Sequence, residues 1–290
     1  MPALSIYLIQ LIHGLVYGML LFLVASGLTL VLGMMNVLNL AHGAFYMLGA
    51  YLVLSFTKIE HGFWLGLVLA PIIVGLLGMA IEKTLLRRAH RLSAFHELLM
   101  TFGLFYILVE IIRWIWASTP QTVPEPKLLS GSIKFFANEV YPDYRLFVFA
   151  ISVAILTGMA LTLNRTRIGI QIRAAVLDAQ MVDLLGINVT RLFLLVFAAG
   201  SALAGLAGVI AAPFLAAYPS MGMDMLMDCI IVIVIGGFGS IWGALVASLM
   251  LGLLQSFGIL WLPQFTLVLE FALMAAVLIA KPTGLFGVRE

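Results

Sequence analysis

The chain alternates between long apolar runs and short polar stretches. Most of the runs have the ~20 residues that an α-helix needs to cross a bilayer. The nine runs are Ser5–Leu32, Val37–Phe56, Phe63–Ile81, Leu98–Trp116, Leu146–Leu163, Leu192–Phe214, Met225–Ile235, Ile241–Trp261 and Phe265–Ala280. Met225–Ile235 is too short to cross alone, so we expect half of a discontinuous or re-entrant helix there. The pattern predicts an all-α, polytopic transmembrane helical bundle of about eight spans.

The composition also places the chain among membrane proteins. It is 63% hydrophobic and 10% charged, with a mean hydropathy of +1.17, whereas a soluble domain carries about 25% charged residues. We expect a single transmembrane domain over residues 1–290, with the first apolar run retained as a helix. The one cysteine, Cys229, excludes a disulfide within the chain. Membrane lipid is an expected partner, and nucleic acid is not.

Basic residues concentrate in three polar stretches. Because Lys and Arg favour the cytoplasmic side, we predict that 82–97, 164–191 and the tail after residue 280 are cytoplasmic. The proline-rich loop 117–145, with three basic and three acidic residues, and the loop near Pro213–Asp224, which has no basic residue, are then outside. Passing from that loop to the tail takes an odd number of crossings, but only two and a half apolar runs are available. The basic residues are Lys83, Arg87, Arg88 and Arg91, then Arg165, Arg167, Arg173 and Arg191, and finally Lys281 and Arg289.

Motifs for catalysis are missing from the sequence. No G-x-x-x-x-G-K-[ST] motif is present, so the chain does not cradle nucleotide phosphates. The stretch 96–100, HELLM, begins like a zinc-protease helix, but Met100 stands where the second histidine is needed. No Ser–His–Asp set can be assembled. We therefore predict no enzyme activity, no catalytic residue, no metal and no cofactor.

Ionisable residues within the apolar runs are few. Glu110 and Arg113 are three residues apart on one predicted helix and can neutralise each other, and Glu270 stands alone in the last run. Ion-coupled carriers usually place several ionisable groups near the bilayer midplane. We therefore expect the energy for any transport to come from outside the chain. A self-contained channel or ion-coupled carrier that uses these residues is the alternative.

Two stretches place polar or flexible residues inside apolar surroundings. On a helix over residues 36–51, one face would carry Asn36, Asn39, Gly43, Tyr46 and Ala50. This face suits either a solute path or helix packing in which asparagines bond between helices. The glycines after residue 235 predict a break, either beside a transported solute or as a surface turn. The candidate pathway residues are Asn36, Asn39, His42, Gly43, Tyr46, Gly237, Gly239 and Ser240.

The polar stretch 164–191 contains one predicted helix of about four turns. Its apolar stripe consists of Ala174, Leu177, Met181, Leu184 and Leu185, and Gly186 suits the helix C-cap. Such a helix can lie on a lipid surface or bind in the cleft of a protein partner. Because Asp178 and Asp183 would face anionic headgroups, we favour a protein partner.

Four stretches, in order along the chain, resemble one family. Residues 39–51, NLAHGAFYMLGAY, are similar to the early signature of the membrane permeases of branched-chain amino acid ABC importers, the LivH type. Residues 169–189 resemble the cytoplasmic coupling segment of that family. Residues 236–244, GGFGSIWGA, and the tail 282–287, PTGLFG, also match. The resemblance covers nearly the whole chain.

The resemblance implies a permease subunit that imports Leu, Ile or Val, or a similar small solute such as urea, a short amide or a small carboxylate. It implies a second related permease, identical or different, two cytoplasmic ATPase subunits and a periplasmic solute-binding protein at the bacterial inner membrane. Residues 180–183 are less alanine-rich than the usual coupling segment, which suggests adjustment to a particular ATPase. The implied coupling residues are Arg173, Ala174, Leu177, Asp178, Met181, Leu184 and Gly186.

Overall fold

A computed structural model describes residues 2–89, 92–134 and 140–287 of the chain. Arg91, Arg289 and residues 135–139 of the predicted outer loop lie outside the described residues. Within them, strands β1 (Ser132–Lys134) and β2 (Val140–Pro142) pair antiparallel. The helices are α1 (Pro2–Met35), α2 (His42–Phe56), α3 (Gly62–Ile81), α4 (Arg87–Ala89), α5 (Ala94–Trp116), α6 (Asp143–Arg165), α7 (Arg167–Leu177), α8 (Ala179–Leu184), α9 (Val189–Leu215), α10 (Met221–Gly236), α11 (Ile241–Trp261) and α12 (Thr266–Ala280).

Most of these helices have the length and composition of membrane spans. Seven in the described part of the chain are long and apolar enough to cross. They are α1, α3, α5, α6, α9, α11 and α12, with α3 continued through a π-helical turn (Glu82–Leu86) into α4, and α12 preceded by a 3₁₀ turn (Pro263–Phe265). Helices α2 and α10 are shorter, with 15 and 16 residues. The prediction of an all-α polytopic bundle of about eight spans is confirmed.

Helix α1 lies at the centre of the bundle. Nearly all of its side chains from Val16 to Leu28 are buried, and it packs against α11, α9 and α6. Gly18 permits this approach, because a Cβ there would lie only 2.8 Å from the Ser248 carbonyl oxygen of α11. By contrast, only 11% of the α12 span is buried. The apolar outer helices therefore face lipid or a partner, and the glycine-rich helices form the core.

The polar stretches define two ends of the bundle. Gly33 at the end of α1 lies against Gly239, and the Leu285 N–H in the tail after α12 donates to the Ile235 carbonyl of α10 at 2.8 Å. We call this the basic end, because the basic stretches after α3, α6 and α12 meet there. At the opposite end, the start of α1 lies beside the end of α11, where the Ser256 hydroxyl donates to the Gln10 carbonyl at 2.7 Å.

Helix α10 is longer than its apolar run predicts. It begins at Met221, so Asp224 lies within its first turn, where a negative charge is favourable. The charge of Asp224 had instead suggested that this residue belongs to the preceding loop. Helix α10 extends about 24 Å over its 16 residues at 1.5 Å per residue. It thus connects the opposite end to the basic end, where its last turn bonds to the tail. Three helices, α10, α11 and α12, thus lie between the loop before α10 and the tail, an odd number as the basic residues require, although the 16 residues of α10 are fewer than the ~20 that cross a bilayer.

Residues 36–41 correct a second expectation. Helix α2 begins only at His42, so Asn36 and Asn39 do not share a helical face with Gly43 and Tyr46. Asn36 has a left-handed backbone with φ of 54°. The Asn39 side-chain oxygen accepts a hydrogen bond from the Ala41 backbone N–H at 3.1 Å. Local bonds of this kind favour a turn over a helix, and the chain enters α2 through an irregular segment.

Candidate functional site

At the basic end, a pair of short helices occupies the stretch 164–191. The prediction of one four-turn helix is wrong, because α7 ends at Leu177 and α8 begins at Ala179. Asp178 between them is extended, with φ of −154°, and its carboxylate accepts from the Met181 N–H at 2.9 Å. An aspartate in this position caps the helix that follows it. The carboxylate thus starts a second helix where the apolar pattern continues without a break.

Each helix of the pair has its own cap. The Thr166 hydroxyl accepts from the Gly169 N–H at 3.1 Å at the start of α7. At the end of α8, Gly186 has φ of +83° and its N–H bonds to the Asp183 carbonyl, while the Ile187 N–H bonds to the Val182 carbonyl. These two bonds form a Schellman motif. Gly186 is therefore the C-terminal glycine that the sequence predicts.

The α7–α8 pair exposes large apolar side chains. Leu177 and Leu184 are 88% and 82% exposed, and Met181 is also exposed. Ala175 and Val182 are buried against the rest of the bundle, and Ala174 is half-buried. Outside the spans, clustered exposed leucines are typical of interaction surfaces. The break at Asp178 leaves this surface on two helices, and we call it the apolar surface of the helix pair.

Arg173 fastens the helix pair to the spans. Its guanidinium donates to the Leu163 carbonyl near the end of α6. A cavity of about 440 Å³ lies beside it, between α1, α6, α7 and the start of α11. Gly239 and Ser240 line this basic-end cavity together with Arg173 and Leu177. The helix pair and the break after α10 therefore share one cavity.

Glycine makes the break after α10 compact. Gly237 has φ of +98° and lies against the tail, where a Cβ would be 2.9 Å from Gly287 Cα. Gly239 has φ of +73°. Ser240 then caps α11, since its hydroxyl accepts from the Gly243 N–H at 3.1 Å. The predicted break is present, and the chain tail stabilises it.

The other predicted pathway residues lie in packed surroundings. His42 is 1% exposed, and its Nε2 bonds to the Val24 carbonyl of α1 at 2.9 Å. Asn39 is 3% exposed, and Gly43 packs against the Gly222 backbone of α10. Asn36 is exposed at the basic end. In the described part of the chain, none of these four lines the basic-end cavity or a second cavity, of about 950 Å³, at the opposite end of the bundle.

The larger of these two cavities opens at the opposite end. It has a volume of about 950 Å³ and lies between α1, α10, α11 and α12. Of the predicted pathway residues, Tyr46 lines it. Three carboxylates, Asp224, Asp228 and Glu270, also line this outer cavity together with Arg145, and the rest of the wall is mostly apolar. Its size falls within the range of small-molecule sites.

Hydrogen bonds hold two of these carboxylates. Tyr17 of α1 donates to Asp228 Oδ2 at 3.1 Å, and Tyr218 in the loop before α10 donates to Asp224 Oδ2 at 3.1 Å. Partial burial, with the nearby Asp224 charge, raises the pKa of Tyr218 to about 12. Away from the cavity, Arg113 forms the predicted local pair with Glu110 at 2.6 Å.

Sequence reasoning singled out Glu270 but missed Asp224, Asp228 and Tyr17. A signal for two of them was present, because carboxylates four apart in an otherwise apolar run share one helix face. Tyr17 had no such signal, since only the packing of α1 on α10 brings it to Asp228.

Comparisons with known proteins agree with this architecture. Residues 10–279 match the family described as branched-chain amino acid transport system / permease component. The chain is 31% identical to the high-affinity branched-chain amino acid transport system permease protein BraD of Pseudomonas aeruginosa, over 99% of this chain and 98% of the relative. It is 29% identical to LivH of Escherichia coli, over 97% and 96%. No solved structure matches significantly. The chain belongs to the branched-chain amino acid transport system permease family.

Proposed function

We propose that this chain is the transmembrane permease subunit of an ABC importer that moves branched-chain amino acids, or a similar small solute, into the cytoplasm. Two separate ATPase subunits hydrolyse ATP, and a periplasmic binding protein delivers the solute. A second, related permease completes the transporter in the bacterial inner membrane. Family membership over residues 10–279 and the names of the relatives support this function.

The observation that carries the proposal is the apolar surface of the helix pair. The excess of Lys and Arg at the basic end assigns that end to the cytoplasm, where the ATPases have access to ATP. Leu177 and Leu184 are exposed there on helices too short and too polar to span the membrane. Such side chains fit a cleft in a protein partner. Arg173 and the shared cavity connect the helix pair itself to the spans.

The opposite end supports delivery of a small solute. The outer cavity opens there, and its position between α1, α10, α11 and α12 places it along the spans. The break after α10 lies at the other end of the same helix. Movement of the helix pair would thus act on the inner end of a helix whose outer half lines the cavity.

Reconstitution tests the proposal. The chain is inserted into liposomes with its partner permease, two ATPases and a binding protein, and uptake of radiolabelled leucine is measured. Uptake is expected only when ATP and the binding protein are both present, and a nonhydrolysable ATP analogue should abolish it. Leucine uptake by the chain alone, without ATP, would support a self-contained channel or carrier instead.

A further inference from the structure

Three carboxylates and one arginine line the outer cavity; the guanidinium of Arg145 lies over the Phe214 ring, 4.7 Å from its centroid. Asp224 and Asp228 lie one helical turn apart on α10, and Glu270 of α12 is only 5% exposed. Among the described residues, none of the three forms an ion pair with Lys or Arg. A carboxylate at membrane depth is costly and usually serves a function. Three carboxylates against one arginine leave an excess of negative charge that a cationic guest would balance.

A buried hydroxyl in the same cavity has no hydrogen-bond partner. Tyr46 is 1% exposed, it lines the cavity, and its hydroxyl bonds to no other described group. Tyr218, Asp228 and Asp224 line the same cavity. Leaving a buried hydroxyl unpaired costs free energy. A ligand that donates a hydrogen bond would recover this cost.

An ammonium group fits both observations. It carries one positive charge and up to three N–H donors, so a carboxylate and the Tyr46 oxygen can accept from it together. Tyr17 already donates to Asp228 Oδ2, which orients that carboxylate. The remaining wall includes Met225, Ile259 and Phe271. These side chains suit an apolar body attached to the ammonium group.

We propose that the outer cavity binds the ammonium group of a small organic ligand with an apolar body, and that Asp228 and the Tyr46 hydroxyl hold that group. This inference rests on the proposed function, because a branched-chain amino acid is such a ligand. It also narrows the substrate class. A neutral urea or amide would bring no positive charge to Asp228, so the site selects for ammonium compounds.

Ligand-induced stabilisation of the purified transporter complex tests the site. Thermal unfolding is followed with isopentylamine, with L-leucine and with 3-methylbutan-1-ol, which has the carbon skeleton of the amine but no charge. The amine and leucine should raise the midpoint, and the alcohol should not. Asp228→Asn should weaken amine binding by about tenfold or more, since a hydrogen bond to a charged group is lost. Tyr46→Phe should weaken it by about threefold to tenfold.

Two variants serve as matched controls. Glu60→Gln removes an exposed carboxylate in the turn between α2 and α3, and Tyr106→Phe removes an exposed hydroxyl on α5. Both should bind the amine like the wild type. Tyr46→Phe keeps the aromatic ring in place, so it tests the site even where Asp228→Asn folds poorly.

The proposed site is wrong if the alcohol stabilises the complex as well as the amine does, or if amine affinity is the same in wild type and Tyr46→Phe. The proposed function is measured separately. ATP-dependent leucine uptake without amine binding would support the proposed function and contradict the proposed site. Amine binding that depends on Asp228 and Tyr46, without ATP-dependent uptake, would support the proposed site and contradict the proposed function.

Discussion

The basic end of this bundle exposes leucine, whereas the opposite end surrounds carboxylates with apolar side chains. Leu177 and Leu184 expose more than four-fifths of their surface outside the spans. Glu270, within a span, is 5% exposed, and Asp228 faces a mostly apolar cavity. Each end therefore has the kind of side chain that its surroundings disfavour. A broad apolar surface is matched by a protein, and an enclosed charge is matched by a small ion.

The largest expected effect comes from placing charge on the apolar surface of the helix pair. Leu184→Asp or Leu177→Asp should reduce ATPase binding and leucine uptake by more than about tenfold, because a buried unpaired charge in the interface costs several kcal/mol. Both side chains are more than four-fifths exposed and belong to the short helices outside the spans, so insertion of the chain should not change. Co-purification with the ATPase and ATP-dependent uptake measure the effect.

Leu128→Asp is the matched control at the opposite end. Leu128 is 79% exposed on the short 3₁₀ helix of the outer loop, so the same change there should leave ATPase binding intact. Co-purification of the ATPase with Leu184→Asp at the wild-type yield, together with normal uptake, would contradict a role of the helix pair in coupling to the ATPase.

The two ends also differ in how well the sequence predicts them. The helix pair is local: its stripe, its caps at Thr166 and Asp178 and its terminal glycine all lie within about 20 residues. Periodicity and capping rules act over such distances, and they missed only the break at Asp178. There, a capping aspartate looked like one more polar position on a continuous helix.

The outer cavity is instead a product of long-range packing. Tyr17, Tyr46 and Asp228 come from three helices, and up to 211 residues separate the partners in one hydrogen bond. No local pattern specifies which faces of α1, α2 and α10 meet. The long spans were predictable because their apolar runs are nearly continuous. The starts of α2 and α10 were not, because the segment before α2 is apolar yet irregular and the first turn of α10 is polar yet helical.

Alanine substitutions at three glycines compare the stability cost at a packed position with the cost at open positions. Gly237→Ala should destabilise the chain by about 3 kcal/mol, because it combines a positive φ with contact to the tail backbone. Gly186→Ala, also at positive φ but with open space around it, should cost about 1 kcal/mol. Gly103→Ala, in an exposed part of α5 with no neighbour within 4 Å, should be neutral or slightly stabilising. Thermal unfolding of the purified chain in detergent ranks the loss of stability in the three variants. An equal loss in Gly237→Ala and Gly186→Ala would contradict the packing of the tail against Gly237.

Residues between the two ends should act through packing. His42→Ala removes the bond to the Val24 carbonyl and leaves a cavity, so it should cost about 2 kcal/mol. Asn39→Ala removes the turn bond to Ala41 and should cost about 1 kcal/mol. Leucine uptake per folded transporter should stay within about twofold of wild type. A larger change in uptake, with stability unaltered, would place these residues on the solute path.

The smallest effect concerns Tyr218 at the mouth of the outer cavity. Its pKa rises from 10 to about 12, mainly through burial and secondarily through Asp224, so the folded state favours the neutral phenol. The stabilising contribution of that neutral phenol is therefore fully present below about pH 10 and is lost as the pH rises through about 12. The lost contribution should stay below about 1 kcal/mol, because solvent screens this half-buried position.

Two variants separate burial from the Asp224 charge as causes of this loss of stability at alkaline pH. Tyr218→Phe should remove the part of the loss that the phenol contributes, whereas Tyr106→Phe on the exposed face of α5 should not. Asp224→Asn removes the neighbouring charge but not the burial, so the loss should shrink without disappearing. Unfolding midpoints between pH 9 and 12 compare the four proteins. Identical pH profiles for wild type and Asp224→Asn would mean that Asp224 adds no charge at the mouth, and the contrast between the two ends would then rest on Asp228 and Glu270.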